Sequence, residues 1–479
     1  MKAVTLSRSM KVLLFVLLVL GVAAVVFPYT ELYREWRFEG KAKIREGGVR
    51  EEVIQLSPGN KVTIAAASPA GFTPQTRMGF NLPELQNDWE PAIASDRFGH
   101  VYVLYPQYGG VPGCPDCYSP TMILQMSSDH GKSFNAPVVI YPEGSTSYQV
   151  DAQIVVDPVD GKTVYASWLQ NNKSDIVVAK STDFGATWPV GTVDATNAGT
   201  DKPILAVRGQ DVYVVYNHSQ TMWGTYSHDG GTTFRSVKVN QNANLGWSLA
   251  GGGTVTPDGA VYFAWDGYEG NGGAKGKVNL YTSKSTDGGA TWTTKLLDVS
   301  SSPPDCSAFS CGWAYLGAQM VMTSDSAGNL YNLWNAGSSP RGPERIYFAK
   351  SSDGGNTWTS KSEVSLAPQG TQHAFPAISA AGTGNVRISW MDARLANGGM
   401  DRWNVYFRSS TNGGASWSAE VDLSTYVSGY EDYIFPDGFR FPFGDYYEMD
   451  IDEQGTNHLV WGEGYNYDSP GTIWYVKGK

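Results

Sequence analysis

From Asp88 onward the chain alternates short apolar runs with turn residues, and one arrangement recurs. It is an apolar run, a turn rich in Asp and Gly, and a second apolar run ending on an aromatic residue. The copies read EPAIASDRFGHVYVLY, DAQIVVDPVDGKTVYASW, KPILAVRGQDVYVVY, GGTVTPDGAVYFAW, AQMVMTSDSAGNLYNLW, FPAISAAGTGNVRISW and YEMDIDEQGTNHLVW. Short runs of this kind, bounded by Gly, Asp and Asn, predict strands joined as hairpins. No helical domain is visible. A second stretch recurs between the hairpins: SSDHGKSF from Ser127, STDFGATW from Ser181, SHDGGTTF from Ser227, STDGGATW from Ser285, SSDGGNTW from Ser351 and STNGGASW from Ser410. Each copy follows an apolar or aromatic run, such as Ile176-Val177-Val178 or Tyr347-Phe348, and precedes another strand-like run. That places it on a tight turn, where the aspartate accepts backbone N–H bonds and the last glycine supplies a conformation other residues resist. Each repeat therefore has four strands, and its length of roughly 45–65 residues suits one unit of a repeat fold.

The count of repeats decides the architecture. Six such turns accompany seven hairpins, and the seventh hairpin, Tyr446 to Trp461, is followed only by Thr472-Ile473-Trp474-Tyr475-Val476. The last unit lacks a fourth strand. The spare strand is Glu51–Ser57 (EEVIQLS), which reads like the AEVDLS after Trp417. Pairing it with the last unit would close a ring and remove exposed edges. The expected fold is an all-β propeller of seven four-stranded blades, with six blades as the second choice.

The repeated turn is the Asp-box, or BNR, signature. With it, the strand ending WMDAR (Trp390–Arg394) and the GDY at Gly444–Tyr446, the chain resembles exported bacterial or archaeal proteins of the sialidase-like β-propeller superfamily. The resemblance covers roughly residues 88–476. It implies the propeller, and it implies structural rather than chemical work for the Asp-box aspartates. Sialidases use three arginines on the substrate carboxylate, a Tyr–Glu nucleophilic pair and an Asp acid/base. They also carry an Arg-Ile-Pro motif before the first Asp box. That motif is absent here, where the nearest arginine is Arg77 in TRMGF.

Composition narrows the function classes. Among 479 residues there are 55 Gly, 16 Trp and 27 Tyr, a profile suited to short strands around an aromatic core. The net charge of −11, without a basic face or tail, excludes nucleic acid as a partner. Lys2, Arg8 and Lys11 precede an uncharged run over residues 12–30, so residues 1–30 read as a signal peptide or signal anchor. Residues 31–50 read as a stalk, and 51–479 as the propeller, lying outside the cytoplasm. Cys114 with Cys117 and Cys306 with Cys311 form two close pairs, read as two local disulfides, with a four-thiolate zinc site as the alternative.

The loops joining second to third strands, and one blade to the next, share a face opposite the Asp boxes. Aligned repeats place a ring of polar residues at the channel mouth on that face. Asp266, Asp392, Asp445 and Glu463 are the catalytic candidates. Glu90, Asp151, Asp201, Arg394, Arg440 and Tyr433 are the candidates for binding substrate. Each could instead cap its own strand. No motif calls for a resident cofactor, although an oxygen-rich ring suits a hard cation such as calcium. Two functions are compatible with this pattern. One is a propeller that recognises a glycan and hydrolyses it through two carboxyl groups. The other is a non-catalytic cell-surface scaffold for a protein partner.

Overall fold

The alternating runs fold as antiparallel strands, and the strands group into seven sheets of four. A computed structural model describes residues 68–80, 88–108, 110–141, 148–195, 199–218, 220–240, 246–270, 274–304, 316–394, 403–424, 444–463 and 472–479. All of them fall in one folded unit. The signal segment, the stalk, Glu51–Ser57, Cys306, Cys311, Tyr433 and Arg440 lie outside the described residues. Among the described residues there is no helix.

The innermost strands of blades 1 to 7 are Ala92–Ser95, Val150–Val156, Thr200–Arg208, Trp247–Val255, Met320–Ser324, His373–Ala380 and Glu448–Ile451. They line a central channel of about 970 Å³. The aromatic that closes each repeated hairpin is Tyr105, Trp168, Tyr216, Trp265, Trp334, Trp390 or Trp461, and every one is buried. These side chains pack between blades. One cluster, for example, joins Leu104 and Tyr102 of blade 1 to Val164 and Trp168 of blade 2. Another joins Leu333 and Phe348 of blade 5 to Ile388 and Trp390 of blade 6. The core is thus a series of seams rather than a single centre, as expected of a repeat fold.

The Asp boxes sit on the turns between third and fourth strands. Asp287 shows the pattern: Oδ1 accepts from Ser285 Oγ at 2.8 Å and Thr291 N at 2.9 Å, and Oδ2 from Thr291 Oγ1 at 2.6 Å. Ser285 Oγ in turn accepts from Gly289 N at 2.9 Å. The sixth copy preserves the geometry with an amide, Asn412 Oδ1 accepting from Ser416 N and Nδ2 donating to Ser416 Oγ.

One expectation needs correcting. The strand that completes blade 7 is Thr76–Arg77, paired with Tyr475 and Trp474, and not Glu51–Ser57. The physical reason lies in its flanks. Phe72 packs edge-on against Phe407, and Met78 is buried against Ile473 and Tyr475. In the sequence the TRMGF segment offers only a poor match to a sialidase motif. Its apolar anchors are what seat it on the edge of the last blade.

Candidate functional site at the channel mouth

Five acidic candidates converge where the innermost strands begin. Asp201 lies 2.7 Å from Lys173 Nζ, which is also 3.8 Å from Asp151. Lys202 Nζ lies 3.0 Å from Asp445 Oδ2, and Asp445 N donates to Glu90 Oε1 at 3.3 Å. Asp266 lines the same channel from the second strand of blade 4. Blades 7, 1, 2, 3 and 4 therefore contribute to one continuous sector.

Backbone distortion aims these groups. Glu90, Asp151 and Lys202 all have positive φ, 56°, 60° and 47°. Asp151 and Lys202 sit on β-bulges, where the pairing slips between Val150 and Gln153 and between Asp201 and Ile204. A bulge turns a side chain out of its alternating order, which sends these residues toward the axis. Phe375 occupies a matching bulge in blade 6 with φ 54°, so the device belongs to the fold and only its occupants are chemical. Lys173 ends a run of three left-handed residues, Asn171, Asn172 and Lys173. Backbone strain of this kind concentrates at functional sites. The GDY stretch has its own requirement. A Cβ at Gly444, whose φ is +68°, would lie 2.4 Å from Glu90 Cγ, so glycine lets Asp445 reach Glu90.

The carboxyl groups are driven apart in acidity. Burial, reinforced by Asp445 and Asp151, pushes Glu90 well above its usual value. Burial outweighs Lys173 at Asp151 and pushes it up to about 7. Asp201 is half-buried, and Lys173 overcomes the cost of that burial and holds it below its usual value. Burial raises Asp266 as well, against the pull of Lys202. A protonated carboxyl beside an ionised one is an arrangement that general acid–base chemistry uses. Tyr446 stands next to them, its hydroxyl donating to Ala152 O at 3.4 Å and its ring 5.3 Å from Lys202 Nζ. Tyr108, stacked on Trp89, completes the wall beside Glu90 and Asp151.

Asp392 and Arg394 form a separate cluster in blade 6. Asp392 is fully buried, and its carboxylate accepts from Trp390 Nε1 at 2.9 Å and from Arg394 Nε and NH2 at 2.9 and 2.6 Å. Arg394 also pairs with Glu420 and lies 3.6 Å above the Tyr406 ring. All its charge is spent inside the protein. Arg345 is likewise consumed by Glu363 and by the carbonyls of Ala367, Pro368 and Thr371. Glu463 ends the second strand of blade 7.

Sequence reading missed four residues that matter here. Lys173 holds Asp151 and Asp201, and the only signal was Asn171-Asn172, residues that tolerate left-handed backbone. Tyr108 was hidden in a loop. Glu448 and Asp450 line the channel deeper down, where they accept the inner-edge N–H groups of Ile93 and Ser95 at 3.1 and 2.7 Å. Those two carboxylates stitch blade 7 to blade 1. The disulfide Cys114–Cys117 forms as expected, within the long loop of blade 1. Among the described residues, the one trio with ligand atoms within 4.8 Å of each other is His130, Asp452 and Glu453. It lies on the Asp-box face, away from the mouth.

Residues 83–320 match the BNR repeat-like domain family. No curated protein matches the sequence. Among solved structures, a protein of unknown function from Dyadobacter fermentans is similar at 14% identity and TM-score 0.47, over 84% of this chain and 97% of that one. An ulvan lyase is similar at 10% identity and TM-score 0.48, over 83% and 95%. A Hadza microbial sialidase is similar at 13% and 0.44, over 82% of this chain and 66% of its own. At such values these likenesses carry nothing about activity. Six Asp-box turns, seven four-stranded blades and the match over residues 83–320 make the chain a seven-bladed β-propeller that carries a BNR repeat-like domain.

Proposed function

We propose that this protein recognises a glycan at the loop-rich channel mouth, outside the cytoplasm. The observation that carries the reading is the sector of Glu90, Asp151, Asp201 and Asp445 held by Lys173 and Lys202 beside Tyr446 and Tyr108. Carboxylates and ammonium groups are strong partners for sugar hydroxyls, and tyrosine faces stack on sugar rings. Export is supported by the uncharged run over residues 12–30, which would also serve as an anchor, and by the Cys114–Cys117 bridge. For hydrolysis at this site we propose Asp151, which burial pushes up to about 7, as proton donor and Asp201, kept ionised by Lys173, as its counterpart. A glycan array and a panel of chromogenic glycosides test both parts. Binding to a defined glycan set supports recognition, and turnover that disappears in Asp151→Asn supports catalysis. Silence on the array, with capture of a protein partner through the same mouth, would favour the scaffold reading instead.

A further inference from the structure

The mouth gathers more carboxyl groups than cations, and burial favours the protonated form of several of them until a cation arrives. Glu90, Asp151, Asp201, Asp266 and Asp445 face two cations among the described residues, and both are engaged: Lys173 by Asp201 at 2.7 Å and Lys202 by Asp445 at 3.0 Å. Among the described residues, three buried carboxyl oxygens have no hydrogen-bond partner, Asp266 Oδ1, Asp445 Oδ1 and Asp151 Oδ2, the last with only Lys173 Nζ nearby at 3.8 Å. Asp266 is 1% exposed and Asp151 6%, and both line the channel. A buried acceptor without a donor is costly, and an uncompensated buried charge more so.

The missing partner must therefore be a donor, and preferably a cation. A sugar hydroxyl would satisfy the oxygens but supply no cation to let these carboxyl groups ionise. An anionic sugar would set like charge against Asp201 and Asp445, and no arginine lines the mouth among the described residues; Arg97 and Arg208, which do line the channel, stand at its opposite end, Arg97 tied to Pro158 O and Val159 O. A single divalent ion needs its ligand oxygens gathered closely, and among the described residues that closeness occurs only at the His130 trio. The oxygens at the mouth come from blades 2, 4 and 7, which suits an extended ligand with several donors. We propose that the glycan taken here bears protonated amines, as in a de-N-acetylated hexosamine chain, with ammonium groups set against Asp151 and Asp266. This rests on the glycan reading above.

The test compares binding of the full chain to a glucosamine hexamer and to its fully N-acetylated counterpart by calorimetry near neutral pH. The expected result is a preference of about tenfold or more for the amine form, the scale of a charge-assisted bond in a buried site. Asp266→Asn and Asp151→Asn should each reduce that preference, whereas Glu453→Gln on the opposite face should keep it. Either mouth variant suffices if the other fails to fold. Equal affinity for the two hexamers, or tighter binding of a sialylated sugar, overturns the inference while leaving glycan recognition standing. An oligolysine peptide that binds as tightly as the amine hexamer also overturns it, in favour of a basic protein partner. If no glycan of any charge binds, the glycan reading itself falls.

Discussion

Asp183, Asp287 and Asp353 are held down to about 2, first by the hydroxyls of Thr187, Thr291 and Thr357 and then by backbone N–H groups. Burial pushes Asp151 up to about 7 and Glu448 to about 8. The two sets act oppositely on stability. The Asp-box groups stabilise the fold above their ordinary value of 3.8, and that contribution fades as pH falls toward 2. The channel groups keep their proton in the folded chain but lose it in the unfolded one between their ordinary values and about 7 to 8, so stability falls as pH rises through that window. The melting temperature of the unliganded protein should therefore rise from mildly alkaline pH to about pH 5 and drop again below about pH 4. A flat profile would mean the channel carboxyls are already compensated. Ser285→Ala removes the acceptor for the buried Gly289 N–H and should cost about 1–3 kcal/mol in chemical denaturation. The Asp-box chemistry was legible because serine, aspartate and glycine recur at fixed spacing within one turn. Lys173 was not legible, because its role depends on two carboxylates from different blades.

At the scale of elements, the Asp boxes also join blades. The space above Gly289 is closed by Tyr213 of the preceding blade, and that above Gly231 by Tyr165. Lys284 Nζ donates to Gly354 O at 2.9 Å in the same manner. Each turn is thus a clasp on the strand before it, which explains why bulky residues are excluded there. Tyr213 is fully buried, and Tyr213→Ala should destabilise by about 3–5 kcal/mol while leaving the mouth intact. Retained stability in denaturant would show the clasp to be dispensable. The strands themselves were readable from their alternation. The bulges at Asp151 and Lys202 were not, since a one-residue slip leaves no mark in an apolar pattern. Gly444→Ala tests that part: the added methyl would strike Glu90 at a positive φ, so ligand binding should drop while global stability changes by only about 1–2 kcal/mol. Unchanged binding would separate the GDY stretch from the site.

For the whole molecule, closure depends on a two-residue strand. Thr76–Arg77 pairs with Thr472–Gly478, and Phe72 and Met78 pin it on either side. Counting hairpins against Asp boxes correctly called for such a strand. It misplaced it because EEVIQLS looks more like a strand than TRMGF does, and the deciding contacts are tertiary. Phe72→Ala with Met78→Ala should destabilise by several kcal/mol, on the scale of about 2–5 for each buried side chain, and promote association through the opened edge. A monomeric double variant of unchanged stability would argue that another segment closes the ring. The closed ring brings five blades' worth of acidic and basic side chains to one mouth, and the central claim is that ligand binds there. The most direct measurement is glycan-array binding by the wild type beside Asp201→Asn and Lys202→Met, each with its fold verified by near-ultraviolet circular dichroism. The account predicts a loss of at least about tenfold in both folded variants. Full binding by either folded variant would contradict it.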